Sequence, residues 1–234
     1  MDKNPHSAMI MAAGLGVRMR PLTLTTPKPL IKVAGKALID FALEKLKAAG
    51  VTNIVVNKYY LPDQIETWAR AHGVITSDES DMVLETGGGI ARALPLLGTD
   101  PFYVLNSDCF WIESVTPALQ RLAATWDDRK MDCLLLLCDH KNTTGFRGGD
   151  DFAIESDGKL KRQTKDALIY IGAYIVHPRL FEKAPTGPFS MNVLWNTAIA
   201  TGRLYGIEHQ GHWFDVGTPS GISAAEVRLG HLSI

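Results

Sequence analysis

Met9-Ile10-Met11-Ala12-Ala13-Gly14-Leu15-Gly16-Val17-Arg18-Met19-Arg20-Pro21-Leu22-Thr23, continued by Thr26-Pro27-Lys28-Pro29-Leu30, is the stretch on which the fold turns. A short apolar run bounded by glycine reads as a buried strand rather than a helix. In the loop after it, Gly14 and Gly16 carry no Cβ, so backbone N–H groups can approach a ligand closely. Arg18 and Lys28 add full positive charges, and prolines on both sides restrict the backbone of Lys28. These features together predict a polyphosphate site. The dinucleotide fingerprint is excluded, because its third glycine would fall at Met19. The Walker pattern is excluded by the lack of Gly-Lys-Ser/Thr at the required spacing.

Downstream, strand-like and helix-like segments alternate. Ala37 to Ala49 shows helical apolar spacing and is followed by Gly50. Asn53 to Asn57 reads as a strand, Pro62 to His72 as a helix closed by Gly73, and Val74 to Thr76 as a short strand. A helix follows the glycine cluster Gly87-Gly88-Gly89, then a strand over Phe102 to Asn106, a helix from Pro117 and a strand over Met131 to Cys138. This alternation predicts an α/β fold, a mixed, mostly parallel sheet with helices on both faces. Ligands of such sheets lie beyond the carboxyl ends of the strands, where the basic loop, the glycine cluster and Asp108 all fall. The last third carries a hairpin signal at Ser156-Asp157-Gly158, a strand-like run from Ala167 to Val176 containing Gly172, a helix capped by Ser190, short strands over Arg203 to Glu208 and His212 to Val216, and a helix opened by Thr218-Pro219. No repeat or linker interrupts the chain, so one domain over residues 1–234 is expected.

A formal net charge of -1 speaks against a nucleic-acid footprint. No apolar run reaches the roughly 18 residues of a membrane span. Met1 to Ala8 is too polar and too short to read as a signal peptide. Cys109, Cys133 and Cys138 lack zinc spacing and read as buried free thiols, which suits a reducing cytoplasm.

Glycines at a helix N-terminus are either a turn or a surface that lets a ligand lie on exposed amides. From the residues alone, Asp108, ending Asn106-Ser107-Asp108, reads as the cap of a following turn. Asn106, Asp151 and Gly172 read as a turn asparagine, a loop aspartate and a strand bulge.

Gly-x-Gly-x-x-Arg followed by Pro-Lys-Pro closely resembles the signature of the sugar-phosphate nucleotidyltransferases, or NDP-sugar pyrophosphorylases. The resemblance runs from Ala8 to about Leu229 and implies their Rossmann-like, glycosyltransferase-A-like fold. Leu84-Glu85-Thr86-Gly87-Gly88-Gly89 and Gly211-His212-Trp213-Phe214-Asp215-Val216-Gly217-Thr218 carry a narrower similarity to the short N-acetylmuramate 1-phosphate uridylyltransferases. The resemblance implies a nucleotide-binding half over about 8–140, a sugar-phosphate half over about 141–234 and no C-terminal β-helix. It also implies a cytoplasmic monomer or small homo-oligomer.

By the same resemblance, Ala12, Ala13, Gly14, Gly16, Val17, Arg18, Lys28, Glu85, Thr86 and Gly87 hold the nucleotide, and Gly88, Asn106, Asp151 and Gly172 hold the sugar phosphate. Asp108 and Asp215 bind Mg²⁺, and Arg18, Lys28 and Asp108 are catalytic. The family's base-reading glutamine is absent; its place falls near Ser80. Asp151 matches the aspartate of the family's Gly-Arg-Gly-Asp-Phe segment, with the arginine missing and Asp150 extra. The expected reaction is attack of a sugar 1-phosphate oxygen on the α-phosphorus of a nucleoside triphosphate. Three readings stay open: UTP with N-acetylmuramate 1-phosphate; UTP, dTTP or GTP with glucose or mannose 1-phosphate; and an inactive nucleotide-sugar sensor. For the first, backbone amides of Gly87 to Gly89 are expected to receive the lactyl carboxylate.

Overall fold

Alternating side chains of Ser7–Met11 bury both faces of a central strand, with Met9 in one core and Ala8 and Ile10 in the other. A computed structural model describes residues 4–149 and 151–232; Asp150 lies outside the described residues. The seven-stranded sheet runs in the order Leu204–Glu208, Cys133–Cys138, Ile169–Val176, Phe102–Asn106, Ser7–Met11, Asn53–Lys58 and Ile75–Asp78. All pairings are parallel except the two made by Ile169–Val176. That strand lies between neighbours from earlier in the chain, so one sheet is built from both parts of the sequence.

Helices α1 (Leu38–Ala48), α2 (Pro62–His72) and α4 (Ala118–Thr125) close one face, through residues such as Leu43, Trp68 and Leu122. Helices α3 (Glu85–Leu97) and α5 (Met191–Ala200) close the other, through Ile90, Leu97 and Trp195. The buried strands read as continuous apolar runs because both faces are covered. Cys133 and Cys138 fall in opposite cores as free, buried thiols. Among the described residues no helix is long and apolar enough to cross a membrane.

A third core joins Met19, Val33, Leu38, Phe110, Phe214, Val216 and Ala225, the last from α6 (Pro219–Leu232). Phe110 stacks between Phe41 and Phe214, at centroid distances of 4.2 and 4.6 Å. Met19, at the position where a dinucleotide loop would have glycine, is completely buried in this core and anchors the basic loop to it.

Candidate active site

The carboxyl ends of Ser7–Met11, Asn53–Lys58, Ile75–Asp78 and Phe102–Asn106 open on a cleft of ≈ 680 Å³, including its mouth. Of the residues expected at a ligand, Ala12, Ala13, Gly14, Lys28, Glu85, Thr86, Asn106 and Asp108 line it, whereas Gly16, Val17, Arg18 and Asp215 do not. A Cβ built on Gly14 meets nothing within 4 Å, so the protein's own packing does not demand glycine there. Gly16 is different. Its φ of 61° is left-handed, and a Cβ would lie 2.8 Å from Thr23 Cγ2. It caps the single 3₁₀ turn Val17–Met19, while the Thr23 hydroxyl donates to its carbonyl at 2.8 Å. Lys28 opens another 3₁₀ turn between its two prolines. Its side chain is buried, and its ammonium donates to Asp108 Oδ2 at 2.8 Å.

Asp108 and Asp215 are brought together by a small sheet. The strand Cys109–Ile112 pairs antiparallel with His212–Asp215, setting Asp215 opposite Cys109. Val216 N–H then donates to the Asp108 carbonyl at 3.1 Å. Burial and, after it, the Asp108 carboxylate push the Asp215 carboxyl above its ordinary range; the Gly217 N–H, Lys28 and Arg18 oppose this. Arg18 reaches the same place from the basic loop: a Cβ on Gly217 would lie 3.3 Å from Arg18 Nη2 and 2.9 Å from Asp215 Oδ1. Among the described residues no third His, Cys, Asp or Glu joins the pair as a metal cluster. Two mutually repelling oxygen donors beside an open cleft fit Mg²⁺, which keeps several waters and takes phosphate oxygens as further ligands.

The family model described as nucleotidyl transferase matches residues 7–230. The chain belongs to the nucleotidyl transferase family. It is 43% identical over 241 residues to an N-acetylmuramate alpha-1-phosphate uridylyltransferase of Caulobacter vibrioides, covering 98% of this chain and 99% of that relative. An enzyme of the same name from Neisseria meningitidis serogroup B is 38% identical over 231 residues, covering 95% and 98%. Among solved structures, HddC from Yersinia pseudotuberculosis complexed with GMP-PN aligns with a TM-score of 0.76 at 22% identity, over 96% of this chain and 99% of that one. This last likeness is one of fold.

In this nucleotidyltransferase fold several residues expected at the ligand are used by the protein itself. Gly87 and Gly88 lie inside the first turn of α3, not in a loop before it. Both N–H groups donate to the Phe189 carbonyl, at 2.8 and 3.1 Å. A Cβ on Gly87 would lie 2.3 Å from the Phe189 ring, and one on Gly88 2.5 Å from the Gly187 carbonyl oxygen. These glycines let α3 approach the segment leading into α5, and their amides are not free for a carboxylate. Thr86 Oγ1 serves the same junction by accepting from Met191 N–H. Gly172, at φ 83°, sits where the pairing with Cys133–Cys138 shifts register, covered by Cys109 Sγ and Asn106. Asp151 Oδ2 accepts from Tyr170 N–H at 3.0 Å, which holds the small hairpin Phe152–Ile154 and Leu160–Arg162 to the sheet. Gly87, Gly88, Asp151 and Gly172 thus have structural duties and do not line the cleft. Ser80 is exposed, its N–H on Asp78 Oδ1.

Sequence reading assigned no site role to six lining residues: Met11, Pro29, Asn57, Glu79, Val83 and Ser107. Asn57 ends an apolar strand just as Asn106 does, and that shared placement was the available signal. Glu79 sits among exposed acids in sequence, and nothing there marks it as 1% exposed.

Proposed function

We propose that the protein transfers the uridylyl group of UTP to N-acetylmuramate 1-phosphate, releasing pyrophosphate and forming the UDP-sugar. The observation that carries this reading is the 43% identity, over almost the full length of both chains, to an enzyme named for that reaction. The geometry supports transfer chemistry of this type. The sugar phosphate oxygen attacks the α-phosphorus, the bond from that phosphorus to the bridging oxygen breaks, and pyrophosphate departs with the electron pair. The nucleophile is already anionic, so no general base is required and catalysis rests on alignment and charge neutralisation.

Lys28, desolvated and aimed at the cleft beside Asp108, binds oxygens of the α-phosphate and of the attacking phosphate. Arg18 neutralises charge accumulating on the leaving pyrophosphate. Gly14 gives the triphosphate access to the backbone, while Glu85 and Thr86 flank the base. Asp108 and Asp215 would hold Mg²⁺, which would supply further charge neutralisation at the phosphates. On this reading the enzyme works in the cytoplasm on a sugar phosphate recovered from the cell wall.

Pyrophosphate release, measured for UTP, dTTP, GTP and CTP against a panel of sugar 1-phosphates, tests the assignment. The highest kcat/KM is expected for UTP with N-acetylmuramate α-1-phosphate. A preference for glucose or mannose 1-phosphate would overturn the substrate assignment and leave the family. Nucleotide binding without turnover on any sugar would favour a sensor.

A further inference from the structure

The peptide unit between Met11 and Ala12 is held at both of its polar atoms by side chains from other segments. Its carbonyl accepts from the Ser107 hydroxyl at 2.5 Å, and its N–H donates to Asn57 Oδ1 at 2.6 Å. Asn57 Nδ2 donates onward to Glu79 Oε1 at 2.8 Å. A carboxylate only accepts, so Glu79 fixes which end of the Asn57 amide faces Ala12. The three side chains come from three segments: the end of one strand, the turn after another, and the residue before Asp108. Asn57 and Glu79 are each 1% exposed and Ser107 4%. Gly89 closes the group from α3, since a Cβ there would lie 2.6 Å from Glu79 Oε1 and 3.1 Å from Asn57 Nδ2.

The place is informative. Pairing of Ser7–Met11 with one neighbour ends at Ile10 and with the other at Met11. The Met11–Ala12 peptide therefore stands where the sheet ladder runs out and the basic loop begins. The side chains of Asn57 and Ser107 add to what holds it there.

We propose that Asn57, Glu79 and Ser107 are positioning residues that make this peptide the fixed origin of the triphosphate-binding loop. The inference rests on the transfer reading for its kinetic consequence. Ser107 adjoins Asp108, so the same clamp sets the loop and the acid relative to each other. A displacement of about 1 Å in such an arrangement costs on the order of 10²-fold in rate.

Asn57→Asp keeps the acceptor for Ala12 but sets a second carboxylate against Glu79. Adding Glu79→Gln restores a donor–acceptor bond with its polarity reversed. The single variant is expected to lose about 10- to 100-fold in kcat with nucleotide KM changed less than about threefold, and the double variant to recover most of the loss. An unaffected kcat in Asn57→Asp, or a double variant no better than the single, overturns the proposal. Should Asn57→Asp fail to fold, Ser107→Ala, which removes one hydroxyl, is expected to lower kcat by about tenfold with a stability loss of only about 1 kcal/mol; a wild-type kcat overturns it.

Amide hydrogen exchange of the wild type separates the clamp from the assigned reaction. Ala12 should exchange far more slowly than Gly14, and equal rates would overturn the clamp whatever the enzyme transfers. Slow exchange at Ala12 in a protein that releases no pyrophosphate would sink the transfer reading and the kinetic part of the proposal, leaving only the clamp's geometry.

Discussion

Lys28 Nζ lies 2.8 Å from Asp108 Oδ2, joining two loops that are 80 positions apart. The lysine side chain is only 10% exposed, whereas the aspartate is 39% exposed toward the cleft. The ammonium is thus already stripped of most of its water before any phosphate arrives, and its Asp108 partner remains open to exchange.

The two acidic residues should respond to amidation with opposite effects on stability. Asp215 has its folded pKa raised by burial and by Asp108, so its ionised form opposes folding above the ordinary carboxylate range. In chelator at neutral pH, Asp215→Asn is expected to melt higher than wild type, with the gain shrinking as pH falls and the wild-type acid takes up its proton. Asp108→Asn leaves the buried Lys28 charge uncompensated and is expected to cost about 1–3 kcal/mol. With Mg²⁺ present, both should lose about 10²-fold or more in turnover. Melting curves and pyrophosphate release check both arms, and near-normal turnover removes that residue from the metal site.

Lys28→Met removes a charge assigned to the transferring group. It should lower kcat by about 10²-fold while nucleotide affinity, read by titration, falls much less. A variant with unchanged kcat and only a raised KM would make Lys28 a binding residue for the ground state.

Two glycines separate packing from ligand approach. Gly88→Ala drives a Cβ onto the Gly187 carbonyl oxygen and is expected to cost about 1–3 kcal/mol, with activity on all sugar phosphates falling together. Gly14→Ala has open space and should stay within about 0.5 kcal/mol of wild type while raising the nucleotide KM. A selective effect of Gly88→Ala on one sugar would restore that glycine to the ligand site.

His209 makes the protein acid-sensitive. Its Nε2–H donates to the Ile112 carbonyl at 3.1 Å, and its buried Nδ1 has no hydrogen-bond partner among the described residues. Burial pulls its pKa down to about 4, against an ordinary 6.5. The neutral ring is the form the fold prefers, so its contribution is full above pH 6.5 and is lost as pH falls from there toward 4. Denaturant titration at pH 7.5 and 5.0 should show a loss of about 2 kcal/mol from this group, reduced in His209→Asn. Identical pH slopes in variant and wild type would count against it.

The alternation of apolar runs with helical spacing, the Gly-x-Gly-x-x-Arg and Pro-Lys-Pro signals, and the caps at Ser190 and Gly73 were all legible in sequence. Each depends on neighbours within a few residues, where chain geometry alone decides the outcome. Less was legible where partners come from afar. The strand Cys109–Ile112 follows Asp108 as an aromatic, apolar run to which sequence reading gave no element, yet this strand carries Asp108 to Asp215.

The amino-acid sequence by itself determined the α/β layering and which loop bears the glycines and positive charges. Its resemblance to the family singled out Asp108 and Asp215 as the acids expected to hold a cation. The tertiary structure alone decided that those acids meet, that Gly87 and Gly88 pack against Phe189 and Gly187, and that Glu79 is buried behind Asn57. The reason is physical: a side chain's solvation and its hydrogen-bond partner are set by what packs against it. For Glu79 and the α3 glycines those neighbours arrive from segments that local spacing does not report.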